Sequence, residues 1–234
     1  MASNRMEYNR DEWEKMQISC VKAILHHVTK KTQIKSAEIT KLCLHNDNKL
    51  FGRIWPDVVD IMSNIYGIQV NEMKDERSNK FYFCTSELKI SSILGRTVAQ
   101  RCELRLLFLI LAYIFMKGGT VQESTLWSFL ERLHIKPERH DFFADVKKAI
   151  NETFLKQMYL KRTKIEMDTG EKDDKFQFAW GIRSEMEFEK RDILQSVADI
   201  MKKPIEFFTK QYKEVLSQDG EDEEDEEMDV DDDD

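Results

Sequence analysis

Glycine and proline are scarce in this chain, with eight glycines and three prolines among 234 residues. Only Gly118 and Gly119 are adjacent, and no strand-like segment leads into them, which excludes a glycine-rich phosphate loop. The pair reads instead as a tight turn between helices. Cysteine is limited to Cys20, Cys43, Cys84 and Cys102, scattered without close spacing, which fits free buried thiols in a reducing compartment rather than a disulfide framework. His26, His27, His45, His134 and His140 lack metal spacing with cysteine or with one another. Adjacent His26 and His27 point about 100° apart on a helix and cannot chelate together. Glu131-x-x-His134 is half of a carboxylate-bridged metal pattern whose other half is missing. No serine or cysteine sits in a nucleophile context. The longest apolar run, Leu106 to Met116, falls short of the roughly 20 residues that span a bilayer. The acidic N-terminus lacks the apolar stretch of a signal peptide. These absences predict a non-enzymatic intracellular protein with no catalytic residues, no metal, no cofactor and no membrane contact.

Basic charge is also scarce at one end. Asp219–Asp234 carries thirteen acidic and no basic residues, while the formal charge of the whole chain is −8. The preceding residues hold 36 basic and 31 acidic groups, a net of +5. A mildly basic folded part therefore precedes an acidic tail that cannot collapse onto a core. The tail is either a solubilising extension or one that competes against nucleic acid or recruits basic partners. Hydrophobic residues at 41 % suffice for one or two domains of ordinary size.

What the chain does contain is an abrupt pairing of helices, LRLLFLILAYIFMKGGTVQESTLWSFLERL over Leu104–Leu133. The apolar run stops at Lys117-Gly118-Gly119. Thr120 with Glu123 three residues later has the spacing of a capping box, and Leu126, Phe129, Leu130 and Leu133 recur at helical period. A fainter copy lies upstream. Aligning Ile34 with Val121 places Ile39 on Leu126 and Leu42 on Phe129, and each copy closes with a similar strand, Lys80–Cys84 and Lys175–Ala179. Three helices and a two-stranded hairpin, used twice, describe tandem winged helices.

The predicted organisation is a disordered N-terminus over 1–10, a first winged helix over 11–86 and a linker over 87–97. A second winged helix with extra C-terminal helices covers 98–218, and a disordered acidic tail 219–234. Helices are predicted near 11–29, 36–44, 51–66, 98–117, 121–133, 145–157, 184–201 and 205–217. Ser36 is the expected N-cap of the second, and Pro56 suggests that the regular part of the third begins near Trp55. The short linker predicts restricted movement between the units. The first helix of the second unit is apolar on almost every side, leaving either a groove or a face for the C-terminal helices to cover.

Basic residues gather on the third helix and hairpin of the second unit, where winged helices meet phosphates: Lys147, Lys148, Lys161, Arg162 and Lys164 are the candidate DNA-binding residues. Interleaved Asp168, Glu171, Asp173 and Asp174 weaken the patch, and a merely solvated face is the alternative. Binding would be weak, salt-sensitive and without sequence preference.

The segments IFMKGGTVQESTLWSFLERL, FADVKKAINETFLKQMYL, FAWGIRSEMEFEKRDIL and IEFFTKQYKEVL, with IKSAEI and FGRIWPDVVDIMSNIYGIQV upstream, closely resemble the MAGE homology domain in order and spacing. The resemblance covers residues 16–216. It is closest to the compact ancestral branch, non-SMC element three, rather than to the longer tumour-antigen forms. It implies a mainly α fold of paired winged helices with small β hairpins. It also implies a non-catalytic nuclear adaptor that binds a RING-type ubiquitin ligase subunit and a kleisin subunit, within a complex of SMC proteins devoted to DNA repair and recombination, with auxiliary duplex-DNA binding. A RING-ligase adaptor outside that complex and a stand-alone winged-helix DNA-binding regulator are the alternatives. Family members contact the RING subunit through a Leu-Leu pair in the first helix. Ile24 and Leu25 stand at the matching positions, where core packing is the competing role. His134 stands where many members have glycine.

Overall fold

The computed structural model describes residues 8–75, 78–86, 97–138, 140–165 and 175–219. Expectations for residues 1–7, for the linker over 87–96, for the acidic turn over 166–174 and for the tail over 220–234 lie outside them. Residues 8–10 belong to the fold and not to a loose end. Asn9 caps the first helix and donates its N–H to Glu12 Oε2 at 3.2 Å, and Tyr8 packs against the first core.

Element order repeats, and the repeat is winged-helix in form. The first unit runs α1 (Arg10–Lys30), β1 (Ile34–Lys35), α2 (Ser36–Cys43), α3 (Asn48–Tyr66), β2 (Ile68–Lys74) and β3 (Lys80–Ser86). The second runs α4 (Val98–Met116), β4 (Thr120–Gln122), α5 (Glu123–Arg132), α6 (Val146–Lys148), a π turn (Ala149–Thr153), α7 (Phe154–Lys156), β5 (Leu160–Ile165) and β6 (Lys175–Trp180). Each sheet is antiparallel and three-stranded, ordered β1-β3-β2 and β4-β6-β5. The third strand of each is the two- or three-residue segment joining the first helix to the second. Such short strands carry no periodicity, so each sheet has one strand more than the two-stranded hairpin expected from sequence. Ile34 faces Tyr82 and Val121 faces Phe178 in the two registers, so the aligned residues do the same work in both copies.

Several local expectations give way for identifiable reasons. Thr120 lies in β4, the N-cap of α5 is Gln122, and Glu123 instead accepts a hydrogen bond from Arg162 at 2.7 Å. Ser36 is the first residue of α2 and Lys35 its cap. Helix α3 begins at Asn48, because Asp47 Oδ1 accepts from the N–H groups of Lys49 and Leu50 at 2.8 and 3.2 Å. Pro56 lies inside that helix and removes one backbone hydrogen bond from it without ending it. Gly52, four residues before Pro56, has no atom near where a Cβ would stand. His134 takes φ +59, the left-handed conformation that glycine enters without cost.

The segment after Trp180 forms α8 (Ile182–Glu187), α9 (Lys190–Met201), a 3₁₀ turn (Ile205–Phe207) and α10 (Thr209–Asp219). Two helices thus stand where one was expected over 184–201. These elements cover α4. Ile193, Leu194 and Val215 are buried in the same core as Leu106, Leu107, Ile110 and Phe115, and Gln211 Nε2 donates to the carbonyl of Met116 at 3.0 Å. Trp180 anchors the junction by donating Nε1–H to the carbonyl of Leu111 at 2.9 Å inside the core. No helix among the described residues is long and apolar enough to cross a membrane.

Candidate partner and nucleic-acid interfaces

Helix α1 presents one face to the first core through Met16, Cys20, Val21 and Ile24. Ile24 has no accessible surface at all. It is a core residue and not a surface anchor, since a side chain enclosed by its own fold has no area left to offer a partner. Leu25, one residue on, is half-buried at the edge of that core. Seven residues earlier Ile18 is 53 % exposed, and a heptad spacing returns to the same helix face within about 20°. The surface pair on α1 is therefore Ile18 and Leu25. The sequence passed over Ile18 because its period marks it as outward-facing, without showing that Leu25 shares that face.

The basic residues fall into three environments. Lys147 and Lys148 are exposed on α6, where Asp145 Oδ1 accepts from the N–H of Lys148 at 2.8 Å. They line a cleft of about 500 Å³ together with Glu138, Asp145, Asn151 and Glu152, so two cations share it with three carboxylates. Asn151 Oδ1 is buried there without a protein partner. On β5 the alternation of strand side chains separates the remaining three. Arg162 and Lys164 point to one face and Lys161 to the other. Arg162 is held by Glu123 and lies 3.6 Å above the ring of Phe176, while Lys161 is exposed. The structure does not gather the five into one patch. Asp168, Glu171, Asp173 and Asp174 lie outside the described residues.

A third surface is apolar. At the corner between α9 and the 3₁₀ turn, Ile200 is 71 %, Met201 58 % and Phe207 59 % exposed. Lys203 Nζ stands 5.2 Å from the Phe207 ring centroid, and Lys202 and Lys210 are exposed nearby in sequence.

Reactive chemistry is sparse in what surrounds these surfaces. Among the described residues no three His, Cys, Asp or Glu side chains converge to hold a metal ion. Burial, with neighbouring Cys43 adding to it, pushes the Cys20 thiol to about 12. Burial pushes Cys84 to about 11 against the opposing pull of Arg183. Neither is a thiolate at neutral pH, as a nucleophilic cysteine must be.

Tandem three-stranded winged helices, with α4 roofed by the helices after Trp180, set the frame for comparison. The MAGE homology domain family matches residues 20–191. The chain belongs to that family. As a MAGE domain it is 30 % identical over 189 residues to the human non-structural maintenance of chromosomes element 3 homolog, covering 80 % of this chain and 61 % of that protein. It is 29 % identical over 206 residues to human melanoma-associated antigen D2, covering 85 % of this chain and 32 % of that protein. The MAGE domain thus spans between a third and three-fifths of the length of these two relatives. A solved chain from the "Nse1-Nse3-Nse4 complex" matches its fold with a TM-score of 0.78 at 31 % identity, covering 89 % of this chain and all of that one.

Proposed function

We propose that this MAGE domain is a non-catalytic adaptor that joins a RING-type ubiquitin ligase subunit to a kleisin subunit within a nuclear SMC complex acting in DNA repair and recombination. The observation that carries this reading is its likeness, over nearly the whole folded part, to a chain solved in the Nse1-Nse3-Nse4 complex. Exposed apolar residues and the buried, protonated thiols support binding over chemistry. On this reading the RING subunit docks on the Ile18–Leu25 face of α1. The kleisin contributes an apolar segment to the corner of Ile200, Met201 and Phe207, as amphipathic helices do in apolar recesses.

DNA contact is auxiliary. Lys147, Lys148 and Lys161 are exposed, but Lys161 lies on β5 away from α6, and the cleft that the first two line holds three carboxylates against their two cations. Binding through them is weak and blind to sequence, because lysine–phosphate contacts carry no base information. A stand-alone sequence-reading regulator needs arginine, asparagine or glutamine aimed at base edges. Asn151 is instead tucked beside the cleft with its oxygen buried.

Affinity purification of the tagged chain from its own cells tests the assignment. RING, kleisin and SMC subunits are expected together. Recovery of a RING protein without SMC subunits would place this adaptor outside the SMC complex.

A further inference from the structure

Arg183 is 1 % exposed, the largest fully buried side chain among the described residues. It sits on α8, yet its guanidinium reaches both units. Nε donates to the carbonyl of Gln157 at 2.8 Å in the second unit, and Nη1 donates to Glu187 Oε1 at 2.9 Å. Nη1 also donates to the carbonyl of Cys84 at 2.5 Å on β3, and Nη2 to the carbonyl of Lys31 at 3.3 Å, just past the end of α1. The plane is flanked by aromatic rings from both units, with Phe83 at 5.2 Å and Tyr159 at 5.8 Å.

A second strand of contacts crosses the same seam. Lys31 Nζ donates to Tyr159 Oη and lies 3.6 Å from Glu187 Oε2, while Tyr159 Oη donates to that carboxylate oxygen at 2.6 Å. The base of α8 is itself tightly held. A Cβ on Gly181 would fall 2.2 Å from the carbonyl oxygen of Met158, so only glycine lets the chain pass. Ser184 Oγ and the N–H of Gly181 both donate to the carbonyl of Tyr159, at 2.7 and 2.8 Å. The arginine is thus mounted on a rigid post in one unit and inserted into backbone carbonyls of the other.

We propose that Arg183, with Glu187 as its counter-ion, is the positioning residue that fixes the angle between the two winged helices. Four of its N–H···O bonds, two of them to carbonyls of the first unit, define direction as well as distance. A point-charge ammonium cannot reproduce that fork. Removing Glu187 takes a carboxylate from a buried cation, and removing Arg183 withdraws a donor from four oxygens, so each half of the pair matters to the seam. The inference stands on this geometry and is independent of the partners proposed above.

Double electron–electron resonance between spin labels at Lys41→Cys on α2 and Glu131→Cys on α5, both exposed sites, reports how narrowly the two units are held relative to one another in the full chain. The four native cysteines are buried and resist labelling. The Arg183-containing protein should show one narrow distance. Arg183→Met should at least double the width of the distribution while circular dichroism shows each unit still helical, and Arg183→Lys should fall between. If Arg183→Met does not fold, Glu187→Gln, which keeps the arginine and weakens its counter-ion, should broaden the distance on its own. A folded Arg183→Met, or failing that a folded Glu187→Gln, with the narrow distance unchanged would overturn the proposal.

Discussion

At the scale of single residues, neighbours in sequence have opposite fates. Ile24 is enclosed and Leu25 lies at the rim, so their substitutions should separate stability from binding. Ile24→Ala should cost about 2–5 kcal/mol of unfolding free energy, the range for an enclosed aliphatic truncated to alanine, measured by urea denaturation. Ile18→Asp should leave stability nearly unchanged, Leu25→Asp should cost less than Ile24→Ala, and each should weaken RING binding at least tenfold. Equal loss of stability from all three would mean that this face of α1 offers nothing to a partner. Glu103 supplies a different test. Desolvation in the cleft beside Lys31, Gln157 and Tyr159 raises its carboxyl above the ordinary value, with Lys31 opposing. A carboxyl raised on folding costs no stability while protonated, and lowers stability as pH rises through its folded value. Glu103→Gln should therefore raise the melting temperature at pH 7 and leave it unchanged near pH 4. A variant less stable at pH 7 would show that the charged form is the one the fold prefers.

At the scale of elements, what was legible in the sequence was whatever runs long enough to show a period. The apolar run of α4, the helical stripe of α5 and the paired strands ending each unit could be read, and with them the winged-helix repeat. Strands β1 and β4 could not, since two or three residues joined to a distant partner leave no local trace. Nor could the π turn Ala149–Thr153, which widens the third helix of the second unit and displaces its side chains from regular spacing. Candidate cations suffered for the same reason. Adjacent Lys161 and Arg162 look like one patch in a string of letters, but a strand sends them to opposite faces and Glu123 engages one of them. Lys161→Glu should accordingly weaken DNA binding and reduce the slope of log K against log salt by about one unit, a loss Arg162→Glu should not match. Fluorescence anisotropy at several salt concentrations distinguishes them. Equal effects would mean that the pair acts together despite the pleat.

For the whole molecule, a buried seam joins the two winged helices, and the two surfaces assigned to partners lie on different units. The acidic tail is expected to add a long-range electrostatic effect. Its thirteen carboxylates are tethered to a folded part that is only mildly basic. Deleting Asp219–Asp234 should tighten DNA binding, most at low salt where screening is least. Unchanged affinity would leave it a solubilising extension. The central claim is that one MAGE domain holds a RING subunit and a kleisin at once through separate faces. Size-exclusion chromatography with multi-angle light scattering on the three purified proteins measures this most directly. The predicted result is a single 1:1:1 species, from which Leu25→Asp removes only the RING subunit and Phe207→Asp only the kleisin. A mixture of two binary complexes, with either partner displacing the other, would contradict it.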